Sequence, residues 1–210
     1  MVTIKTFVEG PVDANNYLII DDESKEAVLI DCSSSRDEFI NSIKAENVNL
    51  KYILLTHGHF DHLLGVDGFK DAFDNVKVFV SKDDDYQVKM LPDMLRMFGG
   101  FMSAEVPGIT NFLQDGDEFN IGKTSIKVIS TPGHTEGGVC YLIGDKLFSG
   151  DTLFYGSIGR CDLPGGNMNT IADSIKNKLF VLDENIEVYP GHGPKTTLGF
   201  EKKYNDIINY

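Results

Sequence analysis

The sequence predicts an α/β protein of four layers, αββα, with two β-sheets packed face to face and helices outside. Three observations carry this expectation. The chain runs strands first and a helix later, and it does so twice. Its strand segments are short and apolar, as strands covered on both faces must be. Its loops richest in polar chemistry follow strand ends. The 210 residues suffice for a single domain, 1–210, and no repeat, low-complexity tract or Pro/Ser-rich linker divides them.

Residues 2–8 alternate, with Val2, Ile4, Thr6 and Val8 on one side, and 16–20 and 27–31 are β-rich runs bounded by turn residues. Ser35 and Glu38 have the spacing of a capping box, which predicts a helix with Phe39, Ile40 and Ile43 facing inward. Residues 51–56 form a short apolar strand that stops at a histidine-rich loop. A helix over 66–73, a strand over 76–80 and a helix over 82–98 follow. The stretch from Gly99 to Asp117 holds Gly99, Gly100, Pro107, Gly108 and Gly116 and reads as irregular. Strands are predicted at 124–130, 138–143 and 146–150. Ile171, Ile175 and Leu179 then give helical spacing within 169–181, ahead of a strand at 186–189 and a weak helix over 199–209.

At 41% hydrophobic and 24% charged the chain is of ordinary globular composition. A formal net charge of −13, from 32 acidic and 19 basic residues, favours solubility and disfavours any partner bound through nucleic-acid phosphates. Cys32, Cys140 and Cys161 form no C-x-x-C pair, and an odd number suits a reducing compartment. The N-terminal MVTIKTFVEG has neither the basic nor the apolar region of a signal peptide. No apolar run approaches the roughly 20 residues of a membrane span. The expectation is a cytoplasmic protein without a membrane partner.

All five histidines fall in one kind of place. His57, His59 and His62 lie in T-H-G-H-F-D-H, His134 in T-P-G-H-T and His192 in P-G-H-G-P. Each follows an apolar strand and sits beside glycine or in a tight turn, where the backbone can bring ligands round an ion. In an extended segment residues i and i+2 point the same way, so His57 and His59 can hold one ion. Asp61 and His62 lie on the following turn and can hold a second. Asp151, at the end of K-L-F-S-G, offers a carboxylate that can bridge both, and His134 and His192 complete the shells. Nitrogen and oxygen donors with open positions suit two divalent ions, zinc first, with iron or manganese as alternatives.

H-x-H-x-D-H and the later His, Asp and His, in that order, resemble the metallo-β-lactamase superfamily along essentially the whole chain. Within it, residues 149–167 and 190–197 are similar to glyoxalase II-like hydrolases, especially the short bacterial form. The resemblance implies an αββα fold and places one metal on His57, His59 and His134. It places the other on Asp61, His62 and His192, with Asp151 bridging. Phe60 and Cys32 depart from the usual residues at their positions, but neither is a ligand. The longer glyoxalase II enzymes carry a C-terminal glutathione-binding domain, and this chain ends eighteen residues after His192, so weak dependence on glutathione is expected.

Such a site implies hydrolysis of a small-molecule thioester such as S-lactoylglutathione, with a metal-activated water attacking the carbonyl. Asp61 is the candidate to orient that water. No histidine remains as a separate general acid, which suits a thiolate leaving group. Asp31 ends an apolar strand and can either support a ligand histidine or cap a turn. Arg160 can bind a substrate carboxylate or form an internal salt bridge. Tyr155 is a candidate to line the pocket, and Lys202 and Lys203 are either substrate-binding or a solvated helix face. The first rival is a persulfide dioxygenase with one iron on His57, His134 and Asp151. A secreted β-lactamase is disfavoured by the N-terminus and a ribonuclease by the charge. A non-catalytic metal-binding module is disfavoured by the intact set of seven ligands.

Overall fold

The computed structural model describes residues 1–97, 104–109 and 111–209. In the first sheet β1 (Val2–Glu9), β2 (Ala14–Asp21) and β3 (Glu26–Ile30) pair antiparallel. The helix α1 (Asp37–Lys44) then crosses to β4 (Asn49–Leu54), which lies parallel to β3. Next, α2 (Phe60–Leu63) and α3 (Val66–Ala72) cross to β5 (Lys77–Ser81). In turn α4 (Asp85–Lys89) and α5 (Leu91–Met97) lead to β6 (Asn111–Leu113), and both strands continue the parallel run. The second sheet begins as an antiparallel meander of β7 (Glu118–Ile121), β8 (Thr124–Ser130), β9 (Val139–Ile143) and β10 (Lys146–Gly150). A small hairpin, β11 (Leu153–Phe154) with β12 (Ser157–Ile158), precedes α6 (Met168–Ser174). Next come β13 (Glu187–Pro190), parallel to β10, and the edge strand β14 (Thr196–Thr197). The described chain ends in α7 (Leu198–Tyr204) and α8 (Asp206–Asn209).

Strand alternation sorts the apolar side chains into layers. On β2, Tyr17 and Ile19 point between the sheets, where they meet Val128, Tyr141, Phe148 and Tyr189. Leu18 and Ile20 point the other way, onto Phe39 and Ile43 of α1 and Phe69 of α3. The outer face of the second sheet buries Cys140, Leu147 and Val188 against Ile171 of α6 and Leu179. Helix, sheet, sheet, helix is the αββα order the patterning predicts. Truncating a fully buried side chain of the central layer, such as Phe148→Ala, would cost about 3–5 kcal/mol.

The sandwich presents one edge to chemistry. The C-terminal ends of β3, β4, β8, β10 and β13 and the N-terminal end of β2 all lie along it, because their pairings alternate in direction accordingly.

Several elements differ from expectation. The predicted helix over 82–98 is a 3-10 turn at 82–84, then α4, then α5, with residue 98 outside the described residues. Pro92 explains the break: it has no N–H to donate and its ring crowds the preceding turn. The Ser35–Glu38 capping box does not form. Arg36 is the N-cap, without a side-chain hydrogen bond, and Ser34 Oγ accepts from the Arg36 N–H instead. The stretch 99–117, irregular by its glycines, contains β6; Gly99 and Gly100 lie outside the described residues. The helical segment 169–181 is α6 followed by a π turn over Ile175–Leu179, and the terminal helix is split at Asn205. On β1, Val2 and Ile4 reach the core between the sheets, but Val8 is 56% exposed because this edge strand runs past the cover of the second sheet.

Candidate metal centre

The loop after β4 bends at residues 56–58, through His57, and reaches His59 in extended backbone, while the single turn α2 carries Asp61 and His62. His134 comes from the β8–β9 loop, Asp151 from the residue after β10, and His192 from the turn after β13. All seven predicted ligands meet at the functional edge. His57, His59 and His134 form one set of converging donors, and Asp61, His62 and His192 another, each with ligand atoms within 4.8 Å of one another. His59 Nδ1 and His134 Nε2 are 2.9 Å apart. In the second set, His192 Nε2 is 3.2 Å from Asp61 Oδ2 and 3.3 Å from His62 Nε2. The Asp151 carboxylate lies between the sets, with Oδ1 3.4 Å from His62 Nε2 and Oδ2 3.6 Å from His134 Nε2.

These residues fit a metal pair. Bonds of about 2.0–2.1 Å from zinc to imidazole set donor–donor edges of about 3.3–3.4 Å in a tetrahedral shell. Moreover, His57 Nε2 and Asp151 Oδ1 are buried with no hydrogen-bond partner, an arrangement that is costly unless a cation satisfies them.

The outward ring nitrogens of His57, His134 and His62 are held, whereas that of His59, Nε2, is buried without a partner. Thr56 Oγ1 lies 3.0 Å from His57 Nδ1, the Arg160 carbonyl 2.7 Å from His134 Nδ1, and Asp31 Oδ2 2.8 Å from His62 Nδ1. Each contact places a proton on Nδ1 and leaves the Nε2 lone pair facing the site. Burial, then the neighbouring imidazoles, keeps His57 well below its usual range; burial and His134 bring His59 down to about 3. Both are therefore neutral donors at pH 7. Burial alone would raise Asp61 and Asp151, but in the metal-free site His62 outweighs it and holds both carboxyls low. Burial opposes charge on His62 itself, yet Asp31, Asp151 and Asp61 push it up as an imidazolium. A bound cation would take the place of the His62 Nε2 proton.

The P-G-H-G turn is pinned from β2. Asn15 Nδ2 donates to the carbonyls of Pro190 (3.0 Å) and Gly193 (2.9 Å), and Tyr17 Oη donates to that of Pro190 (2.7 Å). Gly191 is required there, since a Cβ would lie 2.2 Å from Asp151 Oδ1.

A cavity of about 420 Å³ opens above the donors, walled by Val12, Phe60, Met94, Phe154, Ile158 and Leu163. Arg160 stands at its wall, but its guanidinium is held by Asp162 at 2.7 and 2.8 Å. Tyr155 is not part of this wall. It stacks on Phe200 at a centroid distance of 5.0 Å, and Phe154 takes the lining position because alternate residues of the hairpin face opposite ways. Lys202 pairs with Glu184 and Lys203 lies over the Tyr204 ring, so the structure places both on the α7 surface and outside the pocket.

Sequence reading missed Thr56, Asn15, Asp84 and Glu201. Asp84 is fully buried and accepts from the N–H groups of Gly58 (2.7 Å) and Gly137 (2.6 Å) and from Thr135 Oγ1 (2.8 Å).

The model of the metallo-β-lactamase superfamily matches residues 10–192. The hydroxyacylglutathione hydrolase GloC of Haemophilus influenzae is 35% identical over 95% of this chain and 96% of its own length. The crystal structure of BLEG-1 B3 metallo-β-lactamase superposes with a TM-score of 0.91 at 34% identity, covering 99% of this chain and 100% of that one. TTHA1623, solved in a di-iron-bound form, gives a TM-score of 0.85 at 32% identity over 96% and 98% of the two chains. With this fold, this ligand order and these relatives, the chain belongs to the metallo-β-lactamase superfamily.

Proposed function

We propose that the chain, a metallo-hydrolase of its superfamily, cleaves thioesters, with S-lactoylglutathione the first substrate to test. The observation that supports this most is the seating of two donor triads, joined by Asp151, on the floor of an apolar cavity. Val12, Phe60, Phe154 and Leu163 offer an acyl chain a surface that excludes water. Metal ions held by the triads, zinc first, would polarise the acyl carbonyl and lower the pKa of water toward neutrality. Asp61 lines the cavity with Oδ2 turned to His192, so its other oxygen can orient the attacking water and take its proton. A thiolate departs without protonation, which accords with every histidine belonging to the ligand set. The Arg160–Asp162 pair is solvent-exposed and weak, so a substrate carboxylate can displace Asp162. The resemblance to GloC supports the thioester reading. The free thiols of Cys32, Cys140 and Cys161 accord with a cytoplasmic setting. Among the described residues no helix is long and apolar enough to cross a membrane.

A persulfide dioxygenase with one iron on His57, His134 and Asp151 would leave Asp61, His62 and His192 converged without a task. The test loads purified protein with zinc, iron or manganese and measures thioester cleavage alongside oxygen uptake with a persulfide. Thioester turnover without oxygen uptake supports the hydrolase; iron-dependent oxygen uptake without thioester turnover sinks it.

A further inference from the structure

We propose that Asp84 is a positioning residue for the first triad, locking the loop of His57 and His59 to the loop of His134 through one buried carboxylate. The inference rests on reading those three histidines as metal ligands. Asp84 closes the 3-10 turn after β5 and has no solvent exposure. Its Oδ2 accepts from the Gly58 N–H and the Thr135 hydroxyl, and its Oδ1 from the Gly137 N–H. Gly58 lies between two ligands, His57 and His59, and Thr135 directly follows the third, His134. The carboxylate therefore fixes, from a third element, the separation of two loops that come from opposite sheets.

The arrangement is specific to an ionised carboxylate. All three neighbours are donors, so an amide in its place would turn an N–H₂ toward at least one of them. That leaves a buried donor facing a donor, which is worse than a merely missing bond. The approach is also close: a Cβ on Gly137 would lie 2.5 Å from the Asp84 nitrogen and 2.8 Å from its carboxyl group. Asp84 touches none of the seven ligands' donor atoms, so it acts through the two loops and not as a ligand itself.

The test compares Asp84→Asn and the milder Thr135→Val with the parent, using cobalt(II) as the probe ion. Cobalt absorbs in the visible differently in a three-imidazole set and in an Asp–His–His set, so each site's affinity can be read by chelator competition. The control is Asp21→Asn, at the far end of β2, another buried carboxylate that accepts from Ser24 and Thr124. Asp84→Asn should weaken cobalt binding at the first triad by about 10–100-fold, as loss of an outer partner does, and leave the second triad unchanged. Thr135→Val, which keeps two of the three donors, should give a smaller loss confined to the same site. Asp21→Asn should lower thermal stability and leave both affinities alone. If Asp84→Asn fails to fold, Thr135→Val decides alone. The proposal is overturned if the variants lose stability with first-site affinity at the parental value, or if both sites weaken together. A parent that binds cobalt with only the Asp–His–His spectrum overturns the ligand reading and this inference with it.

Discussion

Asp31 Oδ2 lies 2.8 Å from His62 Nδ1, with both side chains closed off from solvent. The same carboxylate accepts from the Thr56 N–H at 2.8 Å and from its hydroxyl at 2.9 Å, and Thr56 in turn touches His57 Nδ1. One residue after β3 thus supports a histidine of each triad. Asp31 does so at a φ of +61°, a conformation that costs a non-glycine residue about 1–3 kcal/mol. The contacts with Thr56 and His62 over-determine that backbone.

Asp31→Asn therefore tests the support of His62. An amide can still accept from Thr56, but its N–H₂ cannot accept the His62 Nδ1 proton. The His62 ring then loses its fixed tautomer. Metal affinity at the second triad should fall by about 10–100-fold, measured by chelator competition. An unchanged affinity would show that packing alone orients the ring.

Asn15→Ala tests the pin beneath His192. It removes one donor from each of the Pro190 and Gly193 carbonyls. Pro190 keeps the Tyr17 hydroxyl and the exposed Gly193 can turn to water, so each lost bond costs about 0.5–1.5 kcal/mol. The metal-free protein should melt at a lower temperature, and second-site affinity should weaken selectively because the loosened turn carries His192. Calorimetry with and without metal checks both. A lower melting temperature with parental second-site affinity would reduce Asn15 to a purely structural role.

The seven converging donors were legible in the sequence because their signal is local. T-H-G-H-F-D-H puts four donors within six residues, and each later histidine advertises itself by glycine and a preceding strand. Asp31 was legible for the same reason, as a carboxylate at a strand end. Asp84 was not: its partners Gly58 and Gly137 lie 26 and 53 residues away, and nothing near Asp84 marks it as different from Asp83 or Asp85. Asn15 serves a turn 175 residues distant. The layers followed from strand alternation, whereas β6 hid in a glycine-containing stretch because parallel pairing with β5 defines it, and its own three residues carry no pattern. Pro92, in the first turn of α5, marks the break from α4 in the sequence itself.

Glu201→Gln probes how the pocket wall is held. Glu201 is fully buried on α7 and accepts from the Gly156 N–H at 3.0 Å, Thr196 Oγ1 at 2.6 Å and Asn205 Nδ2 at 2.8 Å. Gly156 is the turn of the β11–β12 hairpin, whose Phe154 and Ile158 wall the cavity. A neutral amide loses at least one acceptor there, at about 1–3 kcal/mol of stability. KM for a thioester should rise while the metal content stays at the parental value. Loss of metal with unchanged KM would contradict this assignment.

His192→Ala separates the hydrolase from the dioxygenase. His192 Nε2 lies 3.2 Å from Asp61 Oδ2 and 3.7 Å from Asp151 Oδ2, at the corner of the second triad. Without it, that site keeps Asp61, His62 and a share of Asp151. A lost ligand should weaken binding by more than the 10–100-fold or so typical of a lost outer partner. The first triad keeps all three imidazoles, so the variant should retain one metal per chain where the parent should hold two. Thioester turnover should fall steeply, because Asp61 loses the imidazole that fixes its Oδ2 and the carboxylate can no longer hold the attacking water in register. In the dioxygenase reading the iron ligands His57, His134 and Asp151 are all intact, so iron content and oxygen uptake would survive. Metal analysis by mass spectrometry, with thioester and oxygen assays on parent and variant together, decides between them: two metals and near-parental hydrolysis in the variant would remove His192 from the ligand set.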